Sequence, residues 1–183
     1  HGGGIGELRF ARDIRGITTA REFQVKDPDH EHLITLFHVL ARELAMKHEW
    51  DFDWVQDAVD FKRLINPDAI MTLTSDKGSF KFTIEPERQS FTENHLKKGK
   101  KYHGVYDTPE CKQLFGADKI LVIFIALTDR KRKTLLEKFA AEYPYRMFGF
   151  TTVDLFQKDM GGKIFWTPKD YRTTAYSFLD VLG

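Results

Sequence analysis

Three carboxylates stand close together in two stretches of this chain, Asn66-Pro67-Asp68 and Glu85-Pro86-Glu87-Arg88, with a turn-rich segment between them. If adjacent strands carry these stretches, Asp68, Glu85 and Glu87 meet at one strand end. Like charges a few ångströms apart repel strongly once partly dehydrated, so such a cluster takes up protons or captures a cation. Oxygen-only ligands suit Mg²⁺ or Mn²⁺, and Mg²⁺ sites commonly use one or two carboxylates plus phosphate oxygens. The chemistry in view is metal-assisted phosphodiester hydrolysis, with Asp68 and Glu85 as the metal ligands. Shortly beyond, Lys97-Lys98-Gly99-Lys100-Lys101 runs into Tyr102 and His103. These residues offer cations to grip phosphates and a ring to stack on a base or sugar. Arg130 to Lys133 is a second basic run, where positive charge in a helix's first turn opposes the dipole and calls for an anion.

The elements that must position these groups are legible in outline. Asp29 can cap a helix whose apolar residues Leu33, Leu36, Phe37, Leu40 and Leu44 recur at helical spacing as far as about His48. A strand-like run from Phe52 to Val59 follows. Then Ala69 to Thr74 and Ser79 to Ile84 flank Ser75-Asp76-Lys77-Gly78, a tetrapeptide suited to a hairpin, so three consecutive strands should pair as a meander. Ser90 and Glu93 form a capping box that opens a lysine-rich helix reaching about Tyr106 despite Gly99, and Thr108 with Pro109 starts a shorter helix. Lys119 to Leu127 reads as a strand, unbroken in its apolar character after the lysine, as expected of a central strand covered on both faces. Asp129 to Tyr143 reads as an amphipathic helix with Leu135, Leu136, Phe139 and Ala140 inward, Arg146 to Val153 as a strand, and Pro168 to Leu182 as a closing helix.

Composition bounds the function classes. With 183 residues, 42% hydrophobic and 14% aromatic, there is chain for one well-cored domain, taken as 29–183 behind an amino-terminal extension or linker remnant at 1–28. A net charge of +1 means that any affinity for nucleic acid must come from a local patch. The lone Cys111 and the lack of zinc-finger spacing point to a cytoplasmic chain without structural zinc. The longest apolar run, Ile120 to Leu127, is too short to span a bilayer, and no signal peptide is visible. His1-Gly2-Gly3-Gly4 resembles an esterase oxyanion segment, but no G-x-S-x-G elbow accompanies it, which favours a linker or a fragment end. His30, His32 and His38 lack an HExxH pattern and read as helix-start and core-edge residues. Trp50 and Trp54 read as core or rim packing.

The order helix, three strands, helix, strand, helix, strand resembles that of the PD-(D/E)XK nuclease superfamily, with Asp68 opening the second strand and Glu85 and Glu87 ending the third. A closer resemblance is to the plasmid replication-relaxation family of mobile elements. It is carried by His32-Leu33, Pro67-Asp68, Glu85-Pro86-Glu87-Arg88, and Lys98 with Tyr102, over about residues 29 to 140. The resemblance implies an α/β fold with a restriction-endonuclease-like core, a mixed sheet flanked by helices. It also implies DNA as partner, with replication proteins as further partners; that no membrane is a partner is expected from the shortness of the apolar run. The family's amino-terminal winged-helix segment has no counterpart before Asp29.

Two departures stand out. Glu87 occupies the place of the motif's lysine, and Pro86 implies a bulge or an early end to the ladder. A lysine recruited from the next helix, Lys98 foremost, would restore the positive charge near a phosphate or help deprotonate water. The expected function is metal-dependent cleavage or nicking of DNA, with Asp68, Glu85, Glu87 and Lys98 catalytic. DNA contacts are expected from Lys97, Lys98, Lys100, Lys101, Tyr102 and Arg130. The rival expectation is a catalytically inactive DNA-binding or protein-interaction module that keeps the nuclease scaffold for replication control.

Overall fold

The computed structural model describes residues 30–56, 65–86, 92–117 and 119–182. The first helix, α1, spans His30–Lys47 and buries Leu33, Leu36, Phe37 and Leu44 of the expected stripe, while Leu40 is half-buried against the same core. Asp29, its expected cap, lies outside the described residues. Strands β1 (Asp51–Gln56), β2 (Ala69–Ser75) and β3 (Gly78–Pro86) form the antiparallel meander. The hairpin between β2 and β3 turns at Gly78, whose φ of 127° suits glycine. The expected strand end at Val59 lies outside the described residues.

Helices α2 (Thr92–Val105) and α3 (Pro109–Phe115) then carry the chain over one face to β4 (Leu121–Ala126), which pairs parallel with β3. As the Thr108-Pro109 pair implies, the Thr108 side chain caps α3 and Pro109 opens it. Helix α4 (Asp129–Glu142) returns the chain to β5 (Phe148–Thr152), parallel to β4. The short elements α5 (Val153–Lys158), β6 (Phe165–Trp166), β7 (Ala175–Tyr176) and α6 (Phe178–Leu182) complete an α/β structure. Its seven-stranded mixed sheet is ordered β1 through β7 and flanked by helices.

Strand β4 lies fourth of seven and is buried on both faces, as its unbroken apolar run requires. Its residues divide by the pleat. Ile123 and Ile125 join Phe37, Met71, Phe82, Phe156 and Phe178 on the side of α1, α5 and α6. Val122, Phe124 and Ala126 join Tyr102, Leu135, Phe139, Phe148 and Phe150 on the side of α2, α3 and α4. The second cluster is aromatic. The Phe139 ring meets those of Phe148 and Phe150 edge-on, with centroids 5.1 and 4.9 Å away.

The carboxyl end departs from expectation. The segment from Pro168 to Leu182 is not one helix. Asp170 organises a turn in which its carbonyl accepts the amides of Thr173 and Thr174, and the chain then extends as β7. Helix starts only at Phe178, where Ser177 and Asp180 hydrogen-bond reciprocally as a capping box. The run of Thr173, Thr174 and Tyr176 favours extended backbone, so β propensity and the turn outweigh helix formation upstream. Strand β5 is also shorter than the expected Arg146 to Val153, because Val153 already begins α5 behind its Thr152 cap.

Candidate functional site

The site lies where β2 begins and β3 ends. The pairing Ala69↔Ile84 puts Asp68 and Glu85 opposite one another at the next step of the ladder. Alternation turns both toward α2, because Ile84 faces the α1 side while Glu85 faces Tyr102. Pro86 is the last residue of β3, so its missing N–H falls where the ladder to β2 has already ended. On its other side Pro86 still pairs with Ile125 of β4, and the residues that follow it, Glu87 and Arg88, lie outside the described ones, as does Ser90 of the expected capping box.

Helix α2 brings two side chains to the acids from one turn apart. The Lys98 ammonium donates to Asp68 Oδ2 at 3.1 Å and also to Glu85 Oε2. The Tyr102 hydroxyl donates to Glu85 Oε1. From the other side His30, the first residue of α1, places Nε2 3.1 Å from Asp68 Oδ1. Each carboxylate is thereby held by one oxygen at a fixed partner, and turns its second oxygen to the same ammonium. Glu85 is only 1% exposed, whereas the Lys98 side chain is 39% exposed and opens the cluster to solvent.

Gly99 allows this approach. A Cβ there would lie 2.5 Å from Cε1 of Phe139, so a hydrogen lets α2 settle against α4 and the sheet. A glycine that weakens the helix in isolation is what sets the depth of Lys98 and Tyr102.

The electrostatics follow from burial. Loss of water is the largest influence on Glu85 and, with the Asp68 charge, pushes its carboxyl up to about 8 against the pull of Lys98. Burial works against the Asp68 charge as well, but hydrogen bonding to Glu85 and the Lys98 ammonium hold its carboxyl below the usual value. Burial alone would lower Lys98; the two acids outweigh it and hold the ammonium above its ordinary range. Burial and the neighbouring Glu85 raise the Tyr102 phenol well above its ordinary value, so it remains a donor. The raised Glu85 carboxyl thus favours its protonated form beside the ion pair of Asp68 and Lys98.

Of the residues singled out in the sequence, Asp68, Glu85 and Lys98 converge. Tyr102 converges too, but in a different role from the one expected. It is 0% exposed and bonded to Glu85, so it cannot stack on a base or sugar, and the nucleic-acid contact expected of it is withdrawn. Lys97, Lys100 and Lys101 are exposed on α2. Arg130 is exposed in the first turn of α4, which starts from the carboxyl end of β4, the same end of the sheet as Glu85. The expected need for an outside anion there is met in part within the helix. Asp129 takes Arg132 at 2.6 Å and Lys133 at 2.8 Å, and Arg132 is buried with its guanidinium 4.0 Å above the Trp166 ring.

His38 stacks on Phe52 and Trp54 at the core edge, and Trp50 stacks on His48. These are the packing roles expected of His38 and both tryptophans. His30 takes its expected place at the helix start and from there also reaches Asp68, across 38 positions of sequence. Among the described residues no three His, Cys, Asp or Glu side chains gather as a metal-ligand set. No described helix is long and apolar enough to cross a membrane.

No family model matches the chain, no curated protein matches its sequence, and no solved structure matches its fold.

Proposed function

We propose that this chain is a restriction-endonuclease-like domain that cleaves or nicks DNA with the help of Mg²⁺ or Mn²⁺, in the replication of a plasmid or mobile element. The observation that carries the proposal is the position of Lys98. Its ammonium bridges Asp68 and Glu85, which places a cation from α2 at the acids where position 87 offers another carboxylate. The β-meander, the α2 crossover and the parallel β4 supply the supporting frame, with the acids at the strand ends.

The donor chemistry fits a hard divalent ion. Two carboxylates already share one cation position, and Mg²⁺ commonly takes no more than that from a protein, completing its shell with water and phosphate. Asp68 and Glu85 would hold the ion, which when bound supplies polarisation of the scissile phosphate and an activated water. The chain's own residues do the rest. Tyr102 and His30 fix the two carboxylates, and Lys98, the most exposed member, turns its charge to the phosphate. Exposed Lys97, Lys100, Lys101 and Arg130 hold the DNA backbone.

Supercoiled plasmid incubated with Mg²⁺ or Mn²⁺ should be nicked, and chelation should stop it. If neither ion binds or supports nicking, and Asp68→Ala leaves DNA affinity unchanged, the enzyme assignment is lost. The second function is a catalytically inactive DNA-binding or protein-interaction module for replication control. It is favoured by one observation, that Lys98 already neutralises the buried acids without any outside ion.

A further inference from the structure

We propose that the rings of His103 and Tyr145 form a stacking site for an unpaired base, so that this chain holds DNA through a single-stranded stretch. The site rests on the DNA-binding function proposed above and specifies the form of strand it takes. Its basis is an aromatic column that runs from the core to the surface. Tyr143 packs on Phe139 and Phe148, with ring centroids 5.8 and 6.1 Å away. The His103 ring lies tilted against Tyr143 at 5.6 Å and stacks on Tyr145 at 4.8 Å, with 19° between the planes. His103 is exposed and Tyr145 is 45% exposed, so the column ends in solvent.

Backbone geometry and charge both prepare this end of the column. The Tyr145 amide donates to the Tyr143 carbonyl at 2.7 Å around Pro144, a three-residue turn whose proline fixes the middle dihedral. Tyr145 is thereby held against the His103 ring, and a base that joins the stack meets a surface with little freedom left to lose. On α2, Lys97, Lys100 and His103 follow at intervals of three, which sets them in one row along the helix, and all three are exposed. The lysines offer cations to phosphates, and the row ends in a flat aromatic face. Glu142, beside Tyr143, and Asp107, four residues past His103, are exposed acids that would repel a phosphate at the rings. A base therefore suits the rings, and the phosphates belong along the lysines. A base inside a duplex is already paired and stacked on its neighbours, so an unpaired one is what can extend the column.

The test is fluorescence anisotropy of a fluorescein-labelled oligothymidylate and of a labelled duplex of the same length, each titrated with the full chain in EDTA so that no strand is cut. The wild type should bind the single strand more tightly than the duplex. Tyr145→Ala and His103→Ala should each weaken single-strand binding about tenfold and leave duplex binding within about twofold. Tyr145→Phe, which keeps a ring, should bind as the wild type does. Lys100→Ala should instead weaken both forms alike and lower their salt dependence. Unchanged single-strand binding in both Tyr145→Ala and His103→Ala, or a loss equal on the two forms of DNA, overturns the inference; His103→Ala decides the matter alone should Tyr145→Ala fail to fold. If the wild type binds duplex and nicks plasmid while the two ring variants keep their single-strand affinity, the stacking site fails and the function proposed above survives. If the wild type binds neither form of DNA, both fall together.

Discussion

Asp68 and Asp170 sit in clusters of nearly the same chemistry and opposite character. Asp170 accepts the Arg146 guanidinium at 2.7 Å, the Tyr176 hydroxyl at 3.0 Å and the Thr167 hydroxyl at 3.4 Å, near a surface where Arg146 is 60% exposed. One carboxylate meets one cation there, and the hydrogen bonds from Arg146 first of all hold its carboxyl below the usual value. Asp68 also has a cation and lies near a tyrosine, but a second and deeply buried carboxyl shares its ammonium. The first cluster is a satisfied latch that fastens the turn before β7. The second shares one ammonium between two acids, and burial raises the carboxyl of the deeper one, Glu85, so that it holds its proton.

The same substitution at the two clusters should separate them most sharply. Asp68→Asn is expected to lower Mg²⁺-dependent nicking at least ~100-fold, on the scale of losing one key charged group at a reaction centre, whereas Asp170→Asn should leave it unchanged. Equal losses would mean that the two aspartates play the same structural part.

Next in size is a pH effect specific to the buried cluster. Glu85 binds its proton more tightly when folded, with a carboxyl raised from 4.5 to about 8. The folded state therefore holds more protons across that window, and stability is greatest near its acid end and falls as pH rises through about 8. Thermal melts of the wild type should drop by several degrees between these limits, and Glu85→Gln should flatten the decline. Identical slopes in the two proteins would place the proton elsewhere.

Gly99→Ala tests how the buried cluster is assembled. Overpacking against Phe139 should cost roughly 1–3 kcal/mol in chemical denaturation. It should also reduce nicking, because α2 carries Lys98 and Tyr102 away from the acids with it. Nicking at the wild-type rate in this variant would show that α2 need not sit so close. The smallest effect belongs to the surface latch. Arg146→Met should lower the melting temperature by no more than a few degrees, since an exposed ion pair contributes little, and 0.5 M NaCl should blunt the difference.

The two clusters also differ in how much of them sequence reveals. Asp68 and Glu85 were legible because a hairpin of recognisable turn residues fixes the register between them. Lys98 was legible because a missing positive charge at position 87 directs attention to the next helix. Tyr102 was misread for a local reason: a ring behind a lysine run looks like a stacking platform until its burial is known. His30 was read only as a helix start because its partner lies far along the chain and no local pattern announces the contact. The Asp170 latch was missed with the elements it fastens. Strands of two residues, β6 and β7, are too short to show a period, and the Ser177–Asp180 capping box was the one signal that the final helix starts late. What the sheet order carries in full is the meander and the buried β4, where periodicity and turn chemistry agree.

The most direct test of the central claim compares two neighbouring lysines, one held between the acids and one exposed on the same helix. In a supercoiled-plasmid assay with Mg²⁺, Lys98→Met should abolish nicking while Lys97→Met retains most of it. Full activity in Lys98→Met, or equal losses in both variants, would contradict the assignment of the missing positive charge to Lys98.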